Sequence, residues 1–467
     1  MGEVVYQIYP RSFDRDLAGI TRRLDYVAAL GVDAIWLTPF YPSPQADNGY
    51  DVSDYCDVDP RFGTLAGFDA LLARAHELGL RVIVDIVPNH CSSEHPLFRA
   101  ALAAGPGSPA RARFHFARTP NNWPSVFGGP AWTRVDEEAY LHLYAPEQPD
   151  WNWRHPETAR FFDDVVRFWF DRGVDGLRID VAHGLFKAPG LPDHPDPASI
   201  PPMRLRGNPL ACDQPEVHEV YRRWRRIADG YRPPRTLIGE VNLAPDRAAA
   251  YVGPDELHQA FAFAFLVAPW DASAWLAAGR ELSAHPPVTW VTENHDVVRT
   301  PTRYGSPARA GAALLAVLGL PGSAYLYQGQ ELGLPEAIVP PEEIEDPAYA
   351  RTGVSRDGCR QPMPWPAAPR PLVTSAIALR RRLPHGDRID WAVDGDQRLT
   401  ARCGGFTLVV AMGTGPVPLP RGRGVAQQRS AHRRRVAARR RGGLGDRRLT
   451  APATPAVRRP GRLPPGW

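Results

Sequence analysis

The sequence predicts an α/β protein built as a (β/α)8 TIM barrel, with a small inserted domain after the third strand and a truncated C-terminal β domain. Three observations carry that prediction. Apolar runs of strand length alternate with amphipathic helical stretches eight times over roughly 380 residues. The runs are short and nearly continuous, as strands buried on both faces are. Acidic residues stand where several runs end, on the side where such barrels keep their sites. The periodicity taken by itself also fits an open doubly wound sheet.

The first run, VVYQIYP from Val4, leads to a helical stretch over Gly19–Leu30, and the second, AIWLTPF from Ala34, to one over Leu65–Leu78. The third, VIVDIVPNH from Val82, opens a long excursion, 91–150, before the helix Glu157–Arg172. The fourth, VDGLRID from Val174, is followed by the proline-rich stretch 187–214 and the helix Glu216–Ala228. The fifth and sixth are TLIGEV from Thr236 and AFAFAFLV from Ala260, and the helix between them is the faintest of the set. Asp271–His285 then precedes VTWVTENHD from Val288, and Ala308–Leu318 precedes SAYLYQG from Ser323. Most helical stretches close on a Gly or Pro, the residues that end helices.

This layout divides the chain into a barrel over 1–90 and 151–384, an inserted domain over 91–150 above the site, and a residual C-terminal β domain over 385–420. In that last part Gln397–Ala401 and Phe406–Met412 read as strands, too few to bury a sandwich core, so weak packing is expected. Residues 421–467 hold 14 arginines and one acid, Asp446, with little apolar periodicity, and read as a disordered or frame-shifted tail. Residues 1–420 carry the opposite balance, a net charge of −9. A basic tail of this kind is also a candidate nucleic-acid binder, but nucleic acid is not expected as a partner.

A hydrophobic share of 43% and a charged share of 23% describe an ordinary globular protein. No run has the ~18 apolar residues of a membrane helix, and the N-terminus lacks the pattern of a signal peptide. A cytoplasmic location and no membrane partner are therefore expected. The five cysteines are scattered and lack the close pairs of a zinc site, so reduced structural thiols are expected.

Chemistry gathers at four strand ends: Asp85-Ile-Val-Pro-Asn89-His90, Gly176-Leu-Arg178-Ile-Asp180, Gly239-Glu240 and Glu293-Asn294-His295-Asp296. Each alone could be a helix cap or loop packing. Four in order resemble the ordered sequence regions of the α-amylase superfamily, glycoside hydrolase family 13, over roughly residues 3–366. Gln148-Pro149-Asp150-Trp151-Asn152 and the stretch from Arg356 to Trp365 resemble the α-glucosidase and oligo-1,6-glucosidase branch.

The resemblance implies Asp180 as nucleophile, Glu240 as acid/base and Asp296 as transition-state stabiliser. Cleavage with retention needs one ionised and one protonated carboxyl close together. Arg178, two residues before Asp180 on the same strand face, is placed to keep it ionised, and neighbouring carboxylates should raise Glu240. The resemblance further implies that His90 and His295 contact the sugar hydroxyls, that Tyr50 stacks beneath the ring, and that Asp47 with Arg360 clamps the far hydroxyls. Such a clamp would block the pocket end and make the enzyme exo-acting. His183 is a candidate for reaching the leaving sugar, or a loop histidine satisfied locally.

The expected activity is a retaining α-glucosidase acting on short α-glucosides of the maltose or isomaltose type, with no cofactor. The same carboxylates also fit a transglycosylating or isomerising relative, and a non-catalytic sugar-binding barrel is a third reading. Linkage preference and oligomeric state stay open. The chain departs from the family in two places. Arg11-Ser-Phe-Asp14-Arg-Asp16-Leu lacks the acidic spacing of a calcium loop, so no metal is expected there. Ala262 and Ala264 stand where the family's sixth strand carries polar residues.

Overall fold

In the computed structural model, residues 2–413 are described, apart from Ala262, Asp387 and Asp396. The described residues fall within one compact unit. The tail predicted over 421–467 lies outside the described residues.

Eight parallel strands make the barrel. In chain order they are β1 (Val4–Ile8), β2 (Ala34–Leu37) and β3 (Arg81–Ile86), then, after the insertion's β4 (Phe116–Ala117), β5 (Trp132–Val135) and β6 (Glu138–Leu141), β7 (Gly176–Ile179), β8 (Thr236–Gly239), β9 (Gln259–Ala260), β10 (Thr289–Val291) and β11 (Ser323–Tyr327). The sheet order is β10-β11-β1-β2-β3-β7-β8-β9. Thr289 Oγ1 donates to the Ala260 carbonyl at 2.8 Å and ties the two ends together. Alternate residues point inward, so Val5, Trp36, Ile83, Ile238, Val291 and Tyr325 fill the barrel. Residues one step away face the helices, where Leu17–Leu30, Leu65–Glu77, Pro156–Asp171, Val217–Asp229, Ala272–Ser283 and Pro307–Gly319 cover the outside.

The sixth run is a correction. The alternation AFAFAFLV predicts a strand from Ala260, but pairing stops there and Phe263–Val267 is helical. Alanine and phenylalanine tolerate both backbones, and the aromatic core decides between them. Phe265 packs against Trp275, Trp290 and Trp391, with ring centroids at 4.6, 5.3 and 6.4 Å. Ala264 therefore lies in a helix, and Ala262 lies outside the described residues.

The insertion folds as the helix Pro96–Ala104 and the antiparallel sheet β4-β6-β5. Its aromatics are mainly core: Trp123 and Trp132 are buried with Leu141, Leu143, Val181 and Leu205. The proline-rich stretch is tied to it, with Trp123 Nε1 donating to the Pro192 carbonyl at 2.9 Å and Asn122 Nδ2 to that of His194 at 2.8 Å. The inserted domain and the proline-rich stretch are thus joined by hydrogen bonds.

Among the described residues the C-terminal sheet has three antiparallel strands, β12 (Ile389–Asp394), β13 (Arg398–Cys403) and β14 (Phe406–Ala411). The sequence reading has only the last two, because aspartates interrupt Ile389, Trp391 and Val393. It also predicts weak packing. Instead Trp391, Leu399, Ala401, Cys403 and Val410 are buried in the barrel's own core. Trp391 sits over Gly279 of the helix Ala272–Ser283, where an added Cβ would meet the indole at 2.7 Å. Gly279→Ala is expected to destabilise by about 1–3 kcal/mol despite alanine's better helix propensity, read by urea unfolding. A stabilised variant would mean the sheet is not seated there. No helix of the described residues is long and apolar enough to cross a membrane.

Candidate active site

One arginine organises the acids at the barrel mouth. Arg178 of β7 lies in register beside Asp85 of β3, and both point into the barrel. Its Nη1 donates to the two Asp85 oxygens at 3.0 and 3.1 Å and to Asp180 Oδ1 at 2.6 Å. Its Nη2 is 2.8 Å from Glu240 Oε2. The guanidinium lies 5.0 Å over the Trp36 ring, so the cation has an aromatic floor. Asp180 and Glu240 follow β7 and β8 directly, which brings them to adjacent points on the rim.

One positive charge facing three carboxylates, Asp85 and Asp180 buried and Glu240 half-buried, leaves a formal excess of two negative charges, which favours the protonated form of the buried ones. Burial, then the charge of Glu240, raises the Asp180 carboxyl well above the ordinary range, with Arg178 opposing. Burial likewise pushes Asp85 up to about 7 against Arg178. The sequence reading assigns Arg178 to Asp180 alone; the structure divides it among three acids. Glu240 Oε2 also accepts the Val181 N–H at 3.0 Å. Val181 adopts φ +43°, rare for a β-branched residue, and this turn carries the chain from Asp180 past Glu240.

A second charged group lies beside the first. Asp296 Oδ1 is 3.0 Å from Arg360 Nη2 and 3.4 Å from Arg356 Nη1. Burial works to raise Asp296, but His295, Arg356 and Arg360 outweigh it and hold it well below the usual range. Burial keeps His295 neutral down to about pH 3, so the two arginines supply the charge at working pH. Arg356 also bridges Asp47 at 2.9 Å and Asp346 at 2.7 Å. Burial lifts Asp47 to about 6 even with Arg356 beside it.

Neutral polar groups fill the space between. Tyr50 stacks on His295 with ring centroids 5.4 Å apart and planes 4° from parallel. Its hydroxyl lies 2.7 Å from His295 Nε2 and 3.1 Å from Asp85 Oδ2. His90 contacts Gln148 Nε2 at 3.0 Å, and Gln148 reaches Asp47 Oδ2 at 3.2 Å. Burial, then Lys187, pushes His90 down to about 3. Both histidines are thus uncharged imidazoles able to exchange hydrogen bonds with hydroxyls.

The profile of the α-amylase catalytic domain matches residues 7–371. The chain belongs to the α-amylase family. A probable α-glucosidase of Rhizobium meliloti is 39% identical over 79% of this chain and 74% of its own length. An oligo-1,6-glucosidase of Parageobacillus thermoglucosidasius is 33% identical over 78% of this chain and 74% of its own. Among solved structures, an α-glucosyl transfer enzyme, XgtA, superposes with a TM-score of 0.82 at 35% identity, covering 90% of this chain and 93% of that one. As an α-amylase-family member the protein is a glycoside hydrolase, and its barrel is the family's.

Within this α-amylase-family barrel the structure gathers Asp47, Tyr50, His90, Arg178, Asp180, Glu240, His295, Asp296 and Arg360 at one end. It changes one pairing. The sequence reading sets Asp47 against Arg360, whereas Asp47 meets Arg356 and Arg360 turns to Asp296 and the His295 carbonyl, the latter at 2.9 Å. Arg356 is the residue that reading leaves without a role. Its signal was present, because it stands four residues before Arg360, and the single turn Asp357–Arg360 brings both to Asp296. Gln148 and Asp85 were likewise visible in quoted motifs, but only their contacts give them work. His183 is buried, its Nδ1 3.4 Å from the Glu240 carbonyl, and its Nε2 has no hydrogen-bond partner among the described residues. The acids of the first loop are engaged locally: Asp14 pairs with Arg23 at 3.0 Å, and Asp16 caps the helix Leu17–Leu30 through the Gly19 N–H.

Proposed function

We propose that the protein is a retaining, exo-acting α-glucosidase that releases terminal α-linked glucose from short α-glucosides of the maltose or isomaltose type. The observation that carries this reading is the pair of acids on one guanidinium, Asp180 on Nη1 and Glu240 on Nη2. Two carboxyls sharing one fork suit the ~5–5.5 Å spacing of a retaining enzyme better than the ~6.5–9.5 Å that admits a water between them. In the reaction, Asp180 attacks the anomeric carbon while Glu240 gives its proton to the leaving oxygen. Water then enters, Glu240 takes its proton, and the glucosyl–Asp180 bond breaks with release of α-glucose. The step needs a proton on Glu240 and an ionised Asp180 when the glycosidic oxygen arrives. Asp296, ionised beside two arginines, stabilises the positive charge that develops on the sugar ring.

His90, His295 and Tyr50 hold the sugar, and the Asp47–Arg356 pair closes the far end of the pocket with Arg360 behind it. Arg356→Lys keeps the charge but loses the fork that spans Asp47, Asp346 and Asp296. kcat/KM on maltose is expected to fall about 30–150-fold, equivalent to ~2–3 kcal/mol of transition-state binding. An unchanged kcat/KM would remove this pair from the pocket.

The likeness to an α-glucosyl transfer enzyme favours a second reading, in which an acceptor sugar rather than water takes the glucosyl group. Following glucose release from maltose, isomaltose and p-nitrophenyl α-glucoside by NMR tests both. Early α-glucose in step with bond cleavage supports the hydrolase, and the ratio of the disaccharides sets linkage. Longer glucosides formed ahead of free glucose support transfer. β-Glucose as first product would rule out retention.

A further inference from the structure

Asp85 is a fourth carboxylate at this site, and the mechanism above does not use it. It is fully buried. Its oxygens accept from Arg178 at 3.0 and 3.1 Å and from the Tyr50 hydroxyl at 3.1 Å. The groups facing it are Arg178 with Asp180 from the β7 segment, Glu240 after β8, Tyr50 after β2, and His295 after β10 through Tyr50. The Tyr41 hydroxyl donates to its backbone carbonyl at 2.5 Å. Among the described residues Arg178 is the only cation in direct contact with it, and the same guanidinium serves Asp180 and Glu240.

The neutral groups are arranged toward Asp85. Gln7 Nε2 lies 2.6 Å from His295 Nδ1. An amide nitrogen there donates, which places the imidazole proton on Nε2. Nε2–H then donates to the Tyr50 oxygen at 2.7 Å, and the Tyr50 hydroxyl donates to Asp85. The relay ends on a charged acceptor and so favours an ionised Asp85.

We propose that Asp85 is a positioning residue that disfavours a second negative charge on the Asp180–Glu240 pair, by competing with both for the single Arg178 guanidinium. The charge on Asp85 repels a second charge on the pair and draws on the arginine that would otherwise favour it. The proton needed for the leaving group is therefore held to higher pH. Burial places the ionisation of Asp85 itself near 7, so its effect is present in alkaline solution and absent in acid. This inference rests on the hydrolase reading for its kinetic form.

The test is the pH profile of kcat/KM for p-nitrophenyl α-glucoside with Asp85→Asn, which keeps the shape and the bond from Tyr50. The alkaline limb is expected to move to lower pH by about one unit while the acid limb stays in place. Asp85→Glu should bring the limb back toward its original position. Equal loss of kcat at every pH, with neither limb moved, would make Asp85 a structural strut and overturn the proposal. Should Asp85→Asn fail to fold, Asp85→Ser carries the same test. Infrared titration of the protonated carboxyl band in the ligand-free protein needs no turnover. In Asp85→Asn the proton of the acid pair should leave at lower pH than in the parent, and an unchanged titration overturns the proposal even if no α-glucoside is cleaved.

Discussion

Asp180→Asn is expected to lower glucose release from every α-glucoside by about 10⁴-fold or more, at least ~5 kcal/mol of transition-state stabilisation. On the proposed mechanism the amide cannot form the covalent intermediate, and binding alone does not replace that step. The fold should not suffer. Asp180 is one of three acids on Arg178, so neutralising it relieves repulsion, and the melting temperature should hold or rise. Rates measured beside thermal unfolding separate the two effects. Residual activity within tenfold of the parent would remove Asp180 from the nucleophile's place. Loss of activity together with loss of fold would show that the acid is structural.

Arg178→Met should have the largest effect on stability. It leaves Asp85 and Asp180 buried, and Glu240 half-buried, without their cation, and breaking a buried ion pair from one side costs about 3–5 kcal/mol. The pH dependence has a definite sign. Burial already raises Asp85 and Asp180 against Arg178, so without the arginine these two folded-state carboxyls bind protons more tightly than the unfolded chain's do. The folded state then holds more protons, and stability falls as pH rises above the ordinary carboxylate range near 4. The variant should therefore lie closest to the parent in acid and fall away through neutrality. Urea unfolding at pH 5 and pH 8 measures this, and an equal deficit at both would mean that the carboxylates are not what Arg178 compensates.

Both expectations rest on residues legible in the chain. Asp180, Glu240 and Asp296 stand at strand ends, where periodicity already locates a barrel's working face. The covering helices were readable for the same reason, since an apolar stripe of helical period and a closing Gly or Pro are local properties. Alternation failed at AFAFAFLV, because alanine and phenylalanine fit either backbone and the aromatic cluster around Trp275, Trp290 and Trp391 made the choice. It failed again at β12, whose aspartates hide a strand that only its seat over Gly279 makes intelligible.

By itself, then, the sequence determined the barrel and the strand ends at which Asp180, Glu240 and Asp296 stand, because each is written in spacing along one strand or one helix. Tertiary structure alone decided who shares charge with whom. Arg178 serves three acids instead of one, and Asp47 meets Arg356 instead of Arg360, although the two arginines stand only four residues apart. Those pairings join strands and loops distant in sequence. In a buried site, where a few ångströms decide which charges are compensated, only the folded geometry can make that choice.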